Sequence, residues 1–266
     1  MLDAARVYFR YLSISMRSQM QYRASFVMQS VGQFLVNFLE FLGIWALFDR
    51  FGALRDWKLT EVALFYGMIN VAFALTDAIS RGFDAFGGMV RSGDFDRLLL
   101  RPRSTALQLA GQELTLRRIG RLLQGLIVLI WAIWMLDVSW SPAKAALLAG
   151  AILAAACLFY GLIVLQATAA FWTVESLEMM NTVTYGGVQT AQYPLSIYQR
   201  WFRRFFTFVV PLACVNYYPV LAILDRPGGP WGGALRWVSP VVGVVFLAVA
   251  LQVWKLGVRH YRSTGS

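Results

Sequence analysis

Six long apolar segments, separated by connections rich in arginine, constrain this chain more than any other feature of its sequence. Each segment has about the 17–25 residues that an α-helix needs to cross a hydrocarbon core of roughly 30 Å. The sequence therefore predicts an all-α polytopic membrane protein, with one transmembrane domain over residues 1–266. The predicted spans are 24–48, 61–80, 121–139, 145–172, 205–223 and 237–254.

The positions of the basic residues predict how this domain is oriented. With both termini in the cytoplasm, 18 of the 24 Lys and Arg residues fall in the N-terminal arm, the 81–120 and 173–204 connections and the C-terminal tail. The outer connections hold the other six. Such a bias is the positive-inside pattern of membrane proteins. The net charge of +10 is distributed around the spans, which favours anionic lipid head groups over nucleic acid as the partner.

Two sets of residues are predicted to lie at the membrane interface. Residues 1–23 form an amphipathic pattern that predicts an interfacial helix, with Arg6, Arg10 and Arg17 reaching the head groups. The alternative is a soluble helix that packs on the loops of the protein. Trp237 and Trp254 bracket the last predicted span, about 25 Å apart at helical rise, as interface anchors would.

The first span carries a stripe of polar side chains, which is unusual in a lipid-exposed helix. Gln29, Gln33, Asn37 and Glu40 are spaced by four, four and three residues, which places them within roughly 80° of one helix face. In lipid, such a face turns toward protein or a water-filled cavity. It is either part of a translocation path or a source of interhelical hydrogen bonds, worth about 1 kcal/mol each. Both are compatible with a subunit interface.

The 81–120 connection is the longest hydrophilic stretch, and it contains a short helix between two breakers. Gly93 and Pro102 bound the segment, and Asp94 is suited to cap a helix that runs to Leu100. A short helix at a cytoplasmic face suits the docking of a soluble partner. The alternative is an interfacial loop held to lipid by its arginines.

The fifth predicted span combines helix breakers with polar groups. Pro211 and Pro219 flank Asn216, Tyr217 and Tyr218, which predicts a bent helix. The connection that follows, 225–236, is rich in Gly and Pro and is long enough for a re-entrant turn at the outer face.

The sequence lacks the residues that most catalytic sites require. His260 is the single histidine, and the three lysines do not follow a Gly-rich loop, so we expect no metal site, no bound cofactor and no nucleotide hydrolysis by this chain. Glu40 and Asp77 leave a proton-coupled secondary carrier open. A membrane scaffold that binds partners through 81–120 without transport is a further alternative.

The order of these parts resembles a known family. An amphipathic helix precedes six spans, the second cytoplasmic segment carries GDFDRLLLRP, and the fifth span carries VPLACVNYYP after QYPLSIY. Over essentially the whole chain, this order resembles the membrane subunits of bacterial type-2 ABC exporters, in particular the six-span permeases that use a separate ATPase.

The resemblance implies a fold, partners and residue roles. It implies a permease of the bacterial inner membrane that pairs with itself or a paralogue and docks on two ATP-binding subunits, which hold ATP and Mg²⁺. It implies that Gly93 to Arg101 is the coupling helix, in which apolar residues enter an ATPase groove and charged residues set the register. The apolar set is Phe95, Leu98, Leu99 and Leu100, and the charged set is Asp94, Asp96, Arg97 and Arg101.

The resemblance also implies a path at the dimer interface, lined by the first, second and fifth spans. This places the polar stripe of the first span and Asp77 near the path, with Asn216, Tyr217 and Tyr218 toward its outer end. The cargo would be a drug, peptide, lipid or glycolipid that is not strongly anionic.

Overall fold

The computed structural model describes residues 21–101, 103–112, 118–172, 176–227 and 233–261, and these are mainly helical, with no β-strand among them. The predicted interfacial helix and its Arg6, Arg10 and Arg17 lie outside the described residues. The helices are α1 (Arg23–Phe51), α2 (Leu59–Ile79), α3 (Arg81–Asp84), α4 (Phe86–Ser92), α5 (Phe95–Leu99), α6 (Thr105–Gln112), α7 (Ile119–Met135), α8 (Pro142–Ala169), α9 (Ser176–Ala191), α10 (Arg200–Arg204), α11 (Leu212–Val215), α12 (Tyr217–Ile223), α13 (Gly233–Val238) and α14 (Val241–His260).

The predicted class, an all-helical protein with several apolar helices, is confirmed. Four of the described helices, α1, α2, α8 and α14, are long and apolar enough to cross a membrane. A fifth candidate is a pair of helical pieces, Arg200–Val209 and Leu212–Ile223, which meet at a bend of 76°. Helix α7 is apolar but has only 17 residues, about 25 Å of helix.

Trp57 and Phe95 mark the two ends of the helix bundle. Trp57 lies just before α2, and the short helices α3 to α6 surround Phe95 at the other end. Helix α7 runs antiparallel to α2, and the two backbones are close because Gly67 faces the backbone of Leu129. A side chain larger than hydrogen at Gly67 would overlap that backbone. We call these the Trp57 end and the Phe95 end.

The final helix returns to the Phe95 end along α8. It begins at Val241 after Pro240, so the predicted span at 237–254 started too early in the chain, and Trp237 lies in the separate helix α13. Gly243 packs against the backbone of Ala154 on α8, which brings the two helices into close contact. Helix α14 therefore supports α8 along its length.

Residues 192–198 lie at the Trp57 end, although the sequence predicted that they were cytoplasmic with the rest of 173–204. The Trp57 indole Nε1 donates to Ser196 Oγ at 2.9 Å, and Arg55 Nη1 donates to the Ser196 carbonyl at 2.6 Å. Thr184, earlier in α9, donates to Gln166 near the opposite end of α8. Helix α9 therefore runs from the Phe95 side toward the Trp57 end.

The segment from Arg200 to Ile223 is a bent pair of helical pieces whose two flanks lie at the same end of the bundle, and we call it the hairpin. It begins just after Ser196 at Trp57, and it ends just before Arg226, whose guanidinium lies 4.2 Å from the centre of the Trp57 ring. Both ends therefore meet the same residue. A through-going span at 205–223 is therefore not confirmed, and the re-entrant turn predicted at 225–236 stays a prediction, because 228–232 lie outside the described residues.

The prolines and tyrosines of this segment are equally compatible with a kinked helix that continues across the bundle, so the sequence pattern did not predict the hairpin. A π-helical turn at Phe205–Val209 is followed by the 76° bend near Pro211 and by a second break at Asn216, after which the chain returns to the Trp57 end. Whether the chain turns back or continues after such a bend can be seen only from contacts with residues that are distant in the sequence.

Candidate functional site

The predicted coupling segment is a short helix held tightly at the Phe95 end. Helix α4 ends at Gly93, which adopts a left-handed backbone (φ 74°), and α5 follows at once. Glycine favours this conformation because it has no Cβ to clash. Ser92 Oγ donates to Asp94 Oδ2 at 2.7 Å across the junction, and Gln108 of α6 donates to the Leu98 carbonyl at 3.2 Å.

Phe95 anchors this helix in an aromatic cluster. Its side chain is fully buried, and ring centroids of four aromatic residues lie within 6.4 Å: Phe86 and Tyr261 at 5.0 Å, Phe171 at 5.6 Å and Trp254 at 6.4 Å. These rings come from α4, from the segment after α8, and from α14 and its C-terminal end. Phe95 therefore joins α5 to the ends of α8 and α14 through direct ring contacts.

Two of the predicted ATPase-facing side chains point inward. Phe95 and Leu98 are 0% and 4% exposed, so they hold the helix to the bundle and do not present a free apolar surface. The free surface belongs to Leu99 and Leu100, which are 40% and 86% exposed. Because Phe95 and Leu98 pack one side of α5 against the bundle, only the other side of this helix can contact a partner.

Charged side chains flank this free surface. Arg97 pairs with Asp94 at 3.4 Å, with both side chains largely in solvent, and Arg101 is exposed. Such exposed ion pairs contribute little to folding. Asp96 is half-buried on the side of Tyr261. The register-setting role of Asp94, Asp96, Arg97 and Arg101 stays a prediction.

Asp84, close to the coupling segment, has a perturbed carboxyl group. Burial and the negative charge of Asp77 raise the pKa of Asp84 to about 6, against the opposing effect of Arg81 and Arg118. The group is therefore partly protonated near neutral pH. Tyr185 of α9 faces the same charges.

A polar seam runs between α1, α2 and α7, and it receives most of the predicted stripe. Asn37 is buried, and its carbonyl accepts a hydrogen bond from Tyr66 Oη at 2.8 Å. The same hydroxyl lies 3.5 Å from Glu40 Oε2. Gln33 is half-buried and accepts from Arg118 at 3.4 Å. Gln29 is exposed and donates to Ser25 on its own helix.

Two arginines complete the seam at its Phe95 side. Arg118 Nε lies 2.7 Å from Asp77 Oδ2, with the Asp77 side chain only 3% exposed. Arg121 Nε donates to Asn70 Oδ1 at 2.9 Å, and its guanidinium lies 4.7 Å from the centre of the Phe73 ring. A buried guanidinium needs such partners because an unpaired charge would be costly.

The spacing of the polar residues on α2 and α7 is a sequence signal for this seam, but counting the arginines as cytoplasmic charges hides it. Arg118, Arg121 and Gln124 recur every three residues, and Tyr66, Asn70 and Asp77 recur at helical spacing on α2. Read as two polar faces, they would have predicted a buried pairing of α2 with α7. The positive-inside count instead places Arg118 and Arg121 with the cytoplasmic basic residues.

The predicted outer residues of the path are built into the hairpin and its supports. Asn216 is buried and donates its Nδ2 to the Ala191 carbonyl at the end of α9. The Tyr217 ring stacks at 6.4 Å on Phe65 and lies 6.2 Å from Trp57. These contacts fix the hairpin to α2 and α9.

Tyr218 lines an apolar cavity between the hairpin and α14. The cavity has a volume of about 540 Å³, and Cys214 and Phe246 also line it. It is a half-open pocket that is separate from the polar seam.

Ion pairs close the Trp57 end around the hairpin. Arg226 makes two contacts with Glu61, at 2.8 and 3.0 Å, and it donates to the Asp56 carbonyl at 2.7 Å. Lys144 Nζ, at the start of α8, lies 2.6 Å from Asp225 Oδ2. The hairpin is therefore latched to α2 and α8 by charge-assisted hydrogen bonds.

The two tryptophans predicted as interface anchors occupy different environments. Trp237 is 41% exposed on α13. Trp254 is 1% exposed, packs 4.8 Å from Phe86 and donates its Nε1 to Thr105 Oγ1 at 3.1 Å. Its interior position differs from that expected of an anchor among lipid head groups. In the described part of the chain, no three His, Cys, Asp or Glu side chains are grouped as metal ligands.

Comparison with known families gives one match that spans most of the chain. The family model described as ABC-2 family transporter protein matches residues 34–265. No curated protein and no solved structure matches the chain.

Proposed function

Because the chain belongs to the ABC-2 family of transporter proteins, we propose that it is the membrane-spanning subunit of an ABC exporter in the bacterial cytoplasmic membrane. The family implies a multi-pass membrane protein that works with an ATP-binding partner. In this proposal the chain is not an enzyme: ATP and Mg²⁺ are bound, and ATP is hydrolysed, by the partner subunits.

One observation carries the coupling part of the proposal. Leu99 and Leu100 form a small exposed apolar surface between charged side chains, on a helix whose opposite side is locked into the bundle by Phe95. The Leu100 side chain, at 86% exposure, offers apolar area that a partner can bury. A partner with an apolar groove would bury this surface and would push on α8 and α14 through the aromatic cluster.

We propose six spans, formed by α1, α2, α7, α8, α9 and α14, with the Phe95 end in the cytoplasm. In this proposal α9 is the fifth span in place of 205–223, so Arg23 and Tyr261 both lie on the side of Phe95. Transfer of Arg200, Arg203 and Arg204 to the other end leaves 15 of the 24 Lys and Arg residues on the cytoplasmic side. The positive-inside bias is weaker than the sequence suggested, but its direction is unchanged.

The proposed mechanism is a shift between two conformational populations. Two ATP-binding subunits close on ATP and carry the docked α5 helices of two permease protomers, either identical or paralogous. The aromatic cluster around Phe95 transmits this motion to α8 and α14. ATP binding biases the equilibrium because the contact between ATPase and permease differs in the two states.

The polar seam and the hairpin are the proposed parts of the path. Gln29 and Gln33 lie where the seam opens toward the Phe95 end, whereas Asn37 and Glu40 lie deeper. The Arg118–Asp77 pair crosses from α7 to α2, so relative movement of these helices must break or re-form it. The hairpin with Asn216, Tyr217 and Tyr218 would then gate the outer exit. The cargo is a drug, peptide, lipid or glycolipid.

Two experiments test this proposal. The first is purification of the tagged full chain from its host in mild detergent, with mass spectrometry of the proteins that accompany it. A stoichiometric P-loop ATPase is expected, together with either a paralogous permease or the chain alone. Absence of any ATPase under several extraction conditions would contradict the transporter assignment and favour a carrier or a scaffold.

The second experiment measures topology with single cysteines in a Cys157→Ser/Cys214→Ser background. Gln199→Cys and Pro227→Cys should both react with an impermeant maleimide from outside the cell, whereas Ser92→Cys should react only after permeabilisation. All three positions are exposed. Opposite sidedness of the first two would contradict the re-entrant hairpin, and external labelling of the third would contradict the orientation.

A further inference from the structure

A groove of about 750 Å³ lies between α6, α8 and α14 at the Phe95 end. Its walls are largely apolar and include Leu107, Tyr160 and Leu251. Lys255 and Arg259 of α14 lie at its rim, and Ser104 with Thr105 contributes hydroxyl groups where α6 begins. The groove is therefore amphipathic.

The charged side chains that line the groove are all positive. Among the described residues that line it, Lys255 and Arg259 are the charged ones, and no carboxylate is present. They are four residues apart on one helix face, where like charges repel each other. The amino end of α6 adds the positive end of a helix dipole. A bound anion would relieve this concentration of positive charge.

We propose that this groove binds an anionic phospholipid of the cytoplasmic leaflet. The phosphate would lie between Lys255 and Arg259, and an acyl chain would cover the apolar wall. This assignment rests on the proposed orientation, which places the groove beside an anionic membrane surface. Residues 1–20 are a poor occupant by charge, because they carry three arginines against one aspartate.

The groove shares its walls with the supports of the coupling segment. Trp254 lines the groove and also packs on Phe86 and Phe95. Helix α6 lines the other side, and its Gln108 donates to the Leu98 carbonyl. A lipid held between α6 and α14 would brace the coupling segment. Its removal would weaken the coupling of ATP hydrolysis to transport.

The test is lipid binding to the purified full chain in detergent, measured by native mass spectrometry with phosphatidylglycerol and with phosphatidylcholine. We expect phosphatidylglycerol to bind more tightly. Lys255→Gln with Arg259→Gln should weaken its binding by about 30-fold, from the contribution of two basic residues near anionic lipid. Inorganic phosphate at the same concentration should not displace it, because the phosphate lacks the acyl chains.

The matched control is Arg200→Gln with Arg204→Gln, which removes two exposed cations at the opposite end of the bundle. It should leave phosphatidylglycerol binding unchanged. A second variant, Ala248→Trp, fills the apolar wall without altering charge and should also reduce binding.

Three results would overturn the proposal: equal binding of the two lipids, equal loss in the control, or undiminished binding in the Lys255/Arg259 variant. Binding in detergent requires neither the ATPase nor a membrane orientation. Failure of this test therefore counts against the groove, whereas failure to recover an ATPase counts against the proposed function.

Discussion

The two sides of α5 should respond differently to mutation, and this contrast tests the coupling assignment directly. Phe95→Ala removes a fully buried ring from the aromatic cluster at the Phe95 end. Buried Phe→Ala changes cost about 3–5 kcal/mol through lost transfer energy and the cavity that remains. We expect the apparent melting temperature of the purified chain to fall by at least about 5 °C.

Leu100→Ala should have little effect on folding, because the Leu100 side chain is 86% exposed. If an ATP-binding subunit buries this side chain, the change removes about 2 kcal/mol of apolar contact, or roughly 30-fold in affinity. The assay compares the melting temperature with retention of the ATPase on the tagged permease. Leu100→Ala should lose the ATPase at an unchanged melting temperature.

Phe51→Ala is the matched control, since Phe51 is 71% exposed at the far end of α1. It should change neither quantity. The reasoning is refuted if Leu100→Ala retains the ATPase fully, or if Phe95→Ala melts like the wild type. A single assay of transport would not separate the two residues, because both changes are expected to reduce it.

Three further predictions concern charged groups. Asp84→Asn should raise the free energy of unfolding above pH 6 by up to about 2–3 kcal/mol. A carboxyl pKa raised from 3.8 to about 6 contributes stability below pH 4, and this stability is lost as the pH rises through 6. In melting curves between pH 4 and 8, the melting temperature should therefore depend less steeply on pH in Asp84→Asn than in the wild type. Asp77→Asn should cost about 3–5 kcal/mol by removing the carboxylate that balances the Arg118 charge, whereas Asp77→Asn with Arg118→Gln should cost less; equal melting of both variants would show that the pair is not coupled. Glu61→Gln should loosen the hairpin and speed maleimide labelling of Cys214 in a Cys157→Ser background, and an unchanged rate would contradict the latch formed by Arg226.

In the coupling segment, the local sequence pattern predicted where the helix α5 lies but not which of its side chains are buried. Gly93 and Asp94 precede α5 as predicted, because turn conformation is a property of a few adjacent residues, but the Asp94 side chain accepts from Ser92 and does not cap the helix. Which of Phe95, Leu98, Leu99 and Leu100 faces inward depends on aromatic rings from α4 and α14, far away in the sequence. The apolar spacing could not distinguish the anchored side from the free one.

For the polar stripe of the first span, the sequence likewise predicted the helix face but not the residues that it contacts. Its helical spacing predicted a single face, and Asn37 and Glu40 do turn toward neighbouring helices. Their partners on α2 and α7 were not predicted, since arginines beside a span were counted as loop residues. A buried Arg121 is tolerated only because α2 supplies Asn70 and Phe73 at the right depth.

By itself, the sequence determined that the chain is helical, apolar and of the ABC-2 type, because helix length, hydropathy and the order of motifs are local properties that survive any packing. Only the tertiary structure decided that α9 runs toward the Trp57 end and that both flanks of 200–223 lie at that end. Both segments have polar residues and breakers, and a bend has the same local signature whether the chain continues or reverses. The contacts of Trp57 with Ser196 and Arg226 decide between these outcomes, since they join residues more than 130 positions apart.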